Sequence, residues 1–340
     1  QEVCAGSYTL WDHHFELTGK HLEGQANLPE AVAIGKVEHP LRIPASTSLE
    51  VFEYPGGYAH HYDGVGPGGG DQAGKLQRVF PESERVVRLR VQEEAARCLT
   101  IEGGSECSQL LPGHGFTLQG HFDADDAYLV TRVAHRARAG GVQSGGQSEV
   151  EYSNTFACLP ARMSYRPARL TPRPLIAGMQ TATVTGLEDQ PTYLDKYGRV
   201  KVQFHWDRQG KMDASSSCWL RVAQLWAGKN WGAFFWPRVG HEVVVIFEEG
   251  NPDCPLVVGS VYNDVNVPPV NLPADSAIAG IKSCIFGGDP ATRFNSIVFY
   301  DAQGAEFIVV HSHLVEMNNS SADKYTHTPS MSLTFQGSFP

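Results

Sequence analysis

Residues Gly69 to Lys75 come within one position of a phosphate-cradling loop. In such a loop backbone N–H groups and a lysine hold a nucleotide's phosphates, and a Ser or Thr after the lysine holds magnesium. Here the next residue is Leu76, which has no oxygen to offer, and the three adjacent glycines Gly68, Gly69 and Gly70 suit a plain surface loop. His311 and His313 stand two positions apart, so on a strand both imidazoles face one side and could share a metal ion. Ordinary strand surface is the simpler expectation for the pair. His13 with His14 and His60 with His61 are adjacent, which on a strand aims them at opposite faces, so solvated side chains are expected. Asp123, Asp125 and Asp126 resemble the opening of a calcium loop without its turn glycine or closing glutamate. A polar turn suffices there.

Trp206, Trp219, Trp226, Trp231 and Trp236 crowd into one short stretch. Exposed on a barrel they could stack bases or sugars. Inside one they would be core, and core together with contacts to neighbouring chains is the expectation here. Nothing spells a nucleophile with its base, and no inserted helical domain lies between Asn263 and Ile297 to carry a glycosidase-type carboxylate pair. No catalytic residue, cofactor or metal is assigned, with His311 and His313 kept only as minor metal candidates.

The elements that would position these residues are mostly strands. Gly (35) and Pro (21) punctuate a 340-residue chain that is 41% hydrophobic, favouring many short strands over long helices. Tyr8 to Leu17, Leu49 to Tyr54 and Ala127 to Ala134 alternate as strands do. One helix is expected between Pro81 and Thr100, where Val87, Val91 and Ala95 repeat at helical spacing behind an acidic first turn. Gly64 to Gly74 is a surface loop. Residues 161–180, with alternating prolines and arginines, are a linker between domains.

Beyond it five strand signals follow within a short span: Arg199 to Phe204, Trp219 to Ala223, Ala233 to Trp236, Glu242 to Phe247 and Leu256 to Gly259. Their number and spacing are those of a small OB-type barrel, with Val200, Val202, Phe204, Val243, Val245 and Phe247 inside and the strand Val243 to Phe247, apolar on both faces, central. A last hairpin pairs Ile297 to Tyr300 with Glu306 to Val310 across Asp301 to Gly304.

A net charge of −10 repels phosphate backbones and argues against nucleic acid as a partner. The seven cysteines form no C-x-x-C pair, which suits a chain made in a reducing cytoplasm. No stretch reaches the roughly 20 apolar residues of a membrane helix. The chain starts at Gln1 and stops at Pro340 in a Ser/Thr-rich stretch, and both ends read as cut.

Within the barrel segment a series of blocks carries Asp195, Tyr197, Gly198, Arg199 and Trp206, then Trp219 and Arg221, then Trp226, Gly228, Trp231 and Gly232. Pro237 and Gly240, Gly250 and Pro252, and finally Gly259, Tyr262 and Asn263 complete it. This series resembles the signature of the VgrG family, the spike proteins of type VI secretion, which are similar to the fused hub and needle of a contractile phage tail. The resemblance extends upstream through Leu49 to Tyr58, Leu111 to Phe116, Tyr128 to Val133 and Arg173 to Gly178, and the chain then begins partway into the hub.

The resemblance implies a mainly β fold. Residues 1–160 would be the later part of a hub-like domain with one helix, 161–180 a linker, 181–265 an OB barrel of five strands, and 266–340 the start of a trimeric β-prism needle. It implies a homotrimer that caps a tube of Hcp-type rings, carries a PAAR-repeat tip and effectors, and touches the target membrane transiently. It would be made in the cytoplasm and leave through the type VI apparatus. The implied role is structural rather than enzymatic. An OB-barrel protein binding nucleic acid or carbohydrate is the alternative on residues alone, and a cell-wall hydrolase a further one.

Overall fold

The computed structural model describes residues 3–42, 48–62, 73–139 and 150–312. The chain divides into two compact units, Gln1–Pro174 and Leu175–Pro340.

In the first unit β1 (Ser7–Asp12) lies between β2 (Leu22–Asn27), antiparallel, and β5 (Glu50–Glu53), parallel. A short hairpin of β3 (Ala31–Ile34) and β4 (Val37–Pro40) stands beside them in sequence. Tyr8 and Leu10 alternate inward from β1 while Trp11 faces out. The expected strand Tyr8 to Leu17 ends early, because the chain turns into a single 3-10 turn at Phe15–Leu17. After the short helix α1 (Ala73–Leu76) comes α2 (Val79–Cys98). Val79, Val87, Val91, Ala95 and Cys98 are its buried stripe, and it packs on β1 and β2. Gly24 of β2 allows that approach, since a Cβ there would lie 3.1 Å from the Ser83 carbonyl oxygen.

A second, antiparallel sheet has the order β6 (Ile101–Ser105), β9 (Val150–Pro160), β8 (Ala127–Ala139), β7 (Gly115–Thr117). The cysteine expectation is corrected here: Cys4 and Cys98, separated by 94 positions, form a disulfide, because the lead into β1 and the last turn of α2 converge. Cys107, Cys158, Cys218, Cys254 and Cys284 are free thiols.

The second unit is built on five strands in the order β11 (Lys201–Phe204), β10 (Gln180–Thr185), β15 (Glu242–Phe247), β16 (Pro255–Val261), β12 (Arg221–Val222). The sheet closes on itself through Val200 and Leu220, whose backbones exchange hydrogen bonds of 2.9 and 2.8 Å just ahead of β11 and β12. That bridge joins the two edge strands of the sheet and closes the wall.

Ala182, Val184, Val200, Val202, Leu220, Val243, Val245 and Val257 are buried inside, and Phe204 and Phe247 pack against them. Each such aliphatic side chain contributes about 2 kcal/mol on burial. β15 is central as expected, although its outward Ile246 is exposed.

One of the five strand signals lies outside the barrel wall. Ala233 to Trp236 is not a barrel strand: Trp231–Ala233 is β14, which pairs only with β13 (Trp226–Gly228) in a separate hairpin, and Phe234, Phe235 and Trp236 follow as exposed irregular chain. The fifth wall strand is β10, whose Thr-rich run Gln180–Thr185 lacks the continuous apolar character that marks the others. Finally β17 (Ile278–Lys282), β18 (Ser296–Tyr300) and β19 (Phe307–His311) form an antiparallel sheet; the expected hairpin is there, with β17 added on its open side.

Candidate functional site

The residues of the barrel motif separate into three groups. The first shapes turns. Asp195 accepts hydrogen bonds at Oδ1 from the Tyr197 and Arg199 amides (2.9 and 2.8 Å) and at Oδ2 from Arg199 Nε (2.7 Å), so one carboxylate both caps the turn and neutralises a buried guanidinium. Gly198 sits at φ +69° against Trp236, and a Cβ there would come within 2.3 Å of the indole. Asn263 Oδ1 accepts from the Val265 and Asn266 amides, while its Nδ2 donates to Glu242. That hydrogen bond and one from Thr181 hold the Glu242 carboxyl below its usual range. Gly240 and Gly250 turn the chain at φ +87° and +69°, Gly250 and Pro252 in the bend between β15 and β16, where Arg221 pairs with Glu248. Pro237 is buried ahead of Gly240. Gly259 follows a bulge opposite Val244 and Val245.

The second group is barrel wall. Trp219 is buried under Tyr193, with the Lys201 ammonium 5.1 Å above its ring. Burial lowers the Lys201 pKa, and its Nζ donates to the Ala214 carbonyl at 2.7 Å.

The third group corrects the core half of the tryptophan expectation, since of the five only Trp219 is buried. Trp206, Trp226 and Trp231 are 65%, 63% and 57% exposed, and Trp236 and Tyr262 also reach solvent. The hairpin strands β13 and β14 are too short to have an interior, so their indoles pack only on each other, at 4.9 Å and nearly perpendicular. Gly228 and Gly232 make this possible: a Cβ on Gly228 would meet the Trp231 ring at 2.2 Å, and Gly232, at φ +139°, lies against the Trp226 carbonyl.

The other sequence candidates resolve as structure. Asp125 accepts from the Gly120 and His121 amides, and Asp126 pairs with Arg162 at 2.7 Å, so these carboxylates serve a polar turn. His60 and His61 lie on a 3-10 turn with rings 4.1 Å apart instead of on a strand. His14 is buried rather than solvated, because it caps the turn after β1 through Glu16, whereas His13 is exposed. His311 ends β19 with its ring 4.5 Å from Phe294; His313 and most of the Gly69 to Lys75 loop lie outside the described residues. Among the described residues no group of three or more His, Cys, Asp or Glu is disposed to hold a metal ion, and no helix is long and apolar enough to cross a membrane.

Sequence reasoning missed one cluster. Arg169, read as part of a linker, donates to both oxygens of Glu53 (2.9 and 3.2 Å), to Glu93 (3.2 Å) and to the Tyr8 hydroxyl (3.1 Å), while Tyr8 donates to Glu53 at 2.6 Å. Burial and then Glu53 push the Tyr8 pKa up to about 12. Burial alone would raise the Glu53 carboxyl, but hydrogen bonds from Arg169 and Tyr8 and the charges of Arg169 and Arg90 bring it below its usual value. Arg166 reaches Gln92 and Arg162 reaches Asp126, so these arginines of the expected linker are fastened to the first unit. Alternation of Pro and Arg was the visible signal; the partners, 36 to 161 positions away, were not.

Open β sheets, one of them packed on helix α2, precede a closed barrel that bears outward aromatics. Residues 1–141 match the phage tail baseplate hub family, and residues 180–262 match the type VI secretion system/phage-baseplate injector OB domain. The type VI secretion system spike proteins VgrG1b and VgrG1a of Pseudomonas aeruginosa are each 35% identical over 92% of this chain, which covers 38% and 44% of their lengths. VgrG2a of the same organism is 40% identical over 73% of the chain and is covered over 28%. A solved chain described as the E. coli c3393 protein, a type VI secretion component similar to T4 tail proteins gp27 and gp5, aligns at 28% identity over 53% of this chain and 43% of its own. Its TM-score of 0.36 adds no argument. The chain belongs to the VgrG family of type VI secretion spike proteins, and it spans less than half the length of these curated relatives.

Proposed function

We propose that this chain is the hub-to-needle part of a trimeric injection spike and that its role is mechanical rather than enzymatic. In this reading residues 1–160 serve as hub, 161–180 as connection, 181–265 as barrel and 266–340 as the start of the needle. Three copies cap a tube of Hcp-type rings, carry a PAAR-repeat tip and effectors, and leave through the type VI apparatus to meet the target membrane.

The observation that supports this best is the β17–β18–β19 sheet. Register places Ile281, Ile297, Phe299, Ile308 and Val310 on one face, and all are between 41% and 56% exposed. A single copy leaves that face in water, forfeiting roughly 1.5 kcal/mol per side chain, and three intertwined copies would cover it.

Light scattering on the purified chain tests the reading: the expected mass is three times 37.2 kDa. A monomer at high micromolar concentration with an intact barrel would overturn it. Turnover of peptidoglycan, nucleotides or nucleic acid that survives repurification, and disappears on a single substitution, would overturn the non-enzymatic part.

A further inference from the structure

The β13–β14 hairpin has no structural reason to stand alone. A two-stranded hairpin is marginal in water, yet Leu225, Trp226 and Trp231 extend from this one with 90%, 63% and 57% of their surface exposed. Gly228, opposite Trp231, leaves the space that its ring occupies. The same unit carries an open cavity of about 750 Å3 whose wall is apolar at Val261, Tyr262, Val265 and Val267 and polar at Glu242 and Lys282, and no hairpin residue lines it.

Strand register puts the root of the knob and the cavity at the same end of the barrel. β12 runs parallel to β16, with Arg221 opposite Leu256 and Val222 opposite Val257. The chain leaving β12 for the hairpin therefore heads toward the end where β16 finishes at Val261. Glu242, at the start of β15, pairs with Val261 at that same end. A rotation about an axis along the barrel moves a feature sideways without changing its height, so a knob on one flank and a socket on another, at the same end, form a head-to-tail contact that can close into a ring.

We propose that the β13–β14 hairpin of one copy seats in the Val261–Val267 cavity of the next, so that each barrel gives one knob and receives another. This rests on the trimeric reading above and names its contact. Leu225 and the two indoles would bury roughly 400 Å2 of side chain, about half of what one partner contributes to a standard interface. An apolar knob meeting the apolar part of that wall also accounts for motif positions Trp226, Gly228, Trp231, Gly232 and Tyr262, which neither shape the barrel nor fill it.

The test places cysteines on both sides, Leu225→Cys and Val265→Cys, in a Cys107→Ser, Cys284→Ser background that removes the exposed thiol and the one lining the cavity, and adds a bismaleimide, which alkylates two thiols without any redox step. Both positions are exposed in a single copy, so folding is not at stake. The double variant should give covalent dimers and trimers on denaturing gels. An equal mixture of the two single variants should give dimers only, and pairing Val265→Cys with Leu170→Cys should give neither. If light scattering shows a trimer but the Leu225–Val265 pair gives no bands above those controls, the contact is wrong and the trimer stands. If the chain is a monomer, both fall.

Discussion

The two units hold their sheets by opposite means. In the first, the sheets β2–β1–β5 and β6–β9–β8–β7 are open, and their fasteners are attached from outside. Helix α2 lies on one, a disulfide closes a 94-residue span, and the Arg169 guanidinium gathers Tyr8, Glu53 and Glu93 from three elements. In the second, the five-stranded wall returns to its own first strand through two backbone hydrogen bonds, and its interior is aliphatic. An open sheet needs directional polar and covalent fasteners, whereas a closed one needs only a filled lumen. The first should therefore be sensitive to pH, and the second to volume and charge inside it.

The largest effect expected from that contrast is in the barrel. Val245→Asp puts a carboxylate where no atom is exposed and no partner awaits it, for a cost of about 4–5 kcal/mol, comparable with the stability of a whole domain. Hydrogen exchange over residues 180–262 should lose its protection while α2 keeps most of its own. Equal loss in both regions would erase the distinction.

A smaller effect is expected in the first unit. Arg169→Ala removes one of the two cations, with Arg90, that lie between Glu53 and Glu93; its side chain is 41% exposed and Arg90 remains, so the cost is about 1–2 kcal/mol. Glu53 sets the sign of the pH dependence. Its folded pKa is depressed, so its contribution is fully present above the ordinary carboxylate pKa of about 4.3 and is lost as pH falls through the folded value. Acid titration of exchange in β1 and α2 should show this loss in the parent chain and a flatter curve in the variant. A barrel that loosened first in the same window would break the comparison.

The smallest effect isolates backbone strain. Gly240 lies at φ +87° with open space around it, so Gly240→Ala costs only the left-handed conformation, about 1 kcal/mol. Chemical denaturation read at Trp219, inside the wall, should shift by that amount; a much larger shift would mean that this turn supports more of the barrel than its surroundings indicate.

Period and punctuation in the sequence determined much of this fold. Val87, Val91 and Ala95 repeat every fourth residue and became the buried stripe of α2; Val200, Val202, Val243 and Val245 alternate and became the barrel lumen. Such patterns are local, because a helix turn or a pleat fixes which side chains share a face before any partner arrives. The motif series pointed to the family on the same local basis, its Asp, Asn and Gly positions being turn chemistry that any copy must satisfy.

Only the tertiary structure decided the features that depend on distant chain. Trp219 and Trp231 are the same residue type twelve positions apart, yet one is barrel wall and the other exposed hairpin, because the wall strand ends at Val222 and the hairpin beyond it projects into solvent. β10 is hidden in the sequence because its Thr residues become strand only when β11 and β15 supply ladders on both sides. Cys4 meets Cys98, and Arg169 meets Tyr8, Glu53 and Glu93, across separations that no spacing rule reaches. Polar and covalent pairs of this kind carry no periodicity, since they are made by the packing of elements and not by the elements themselves.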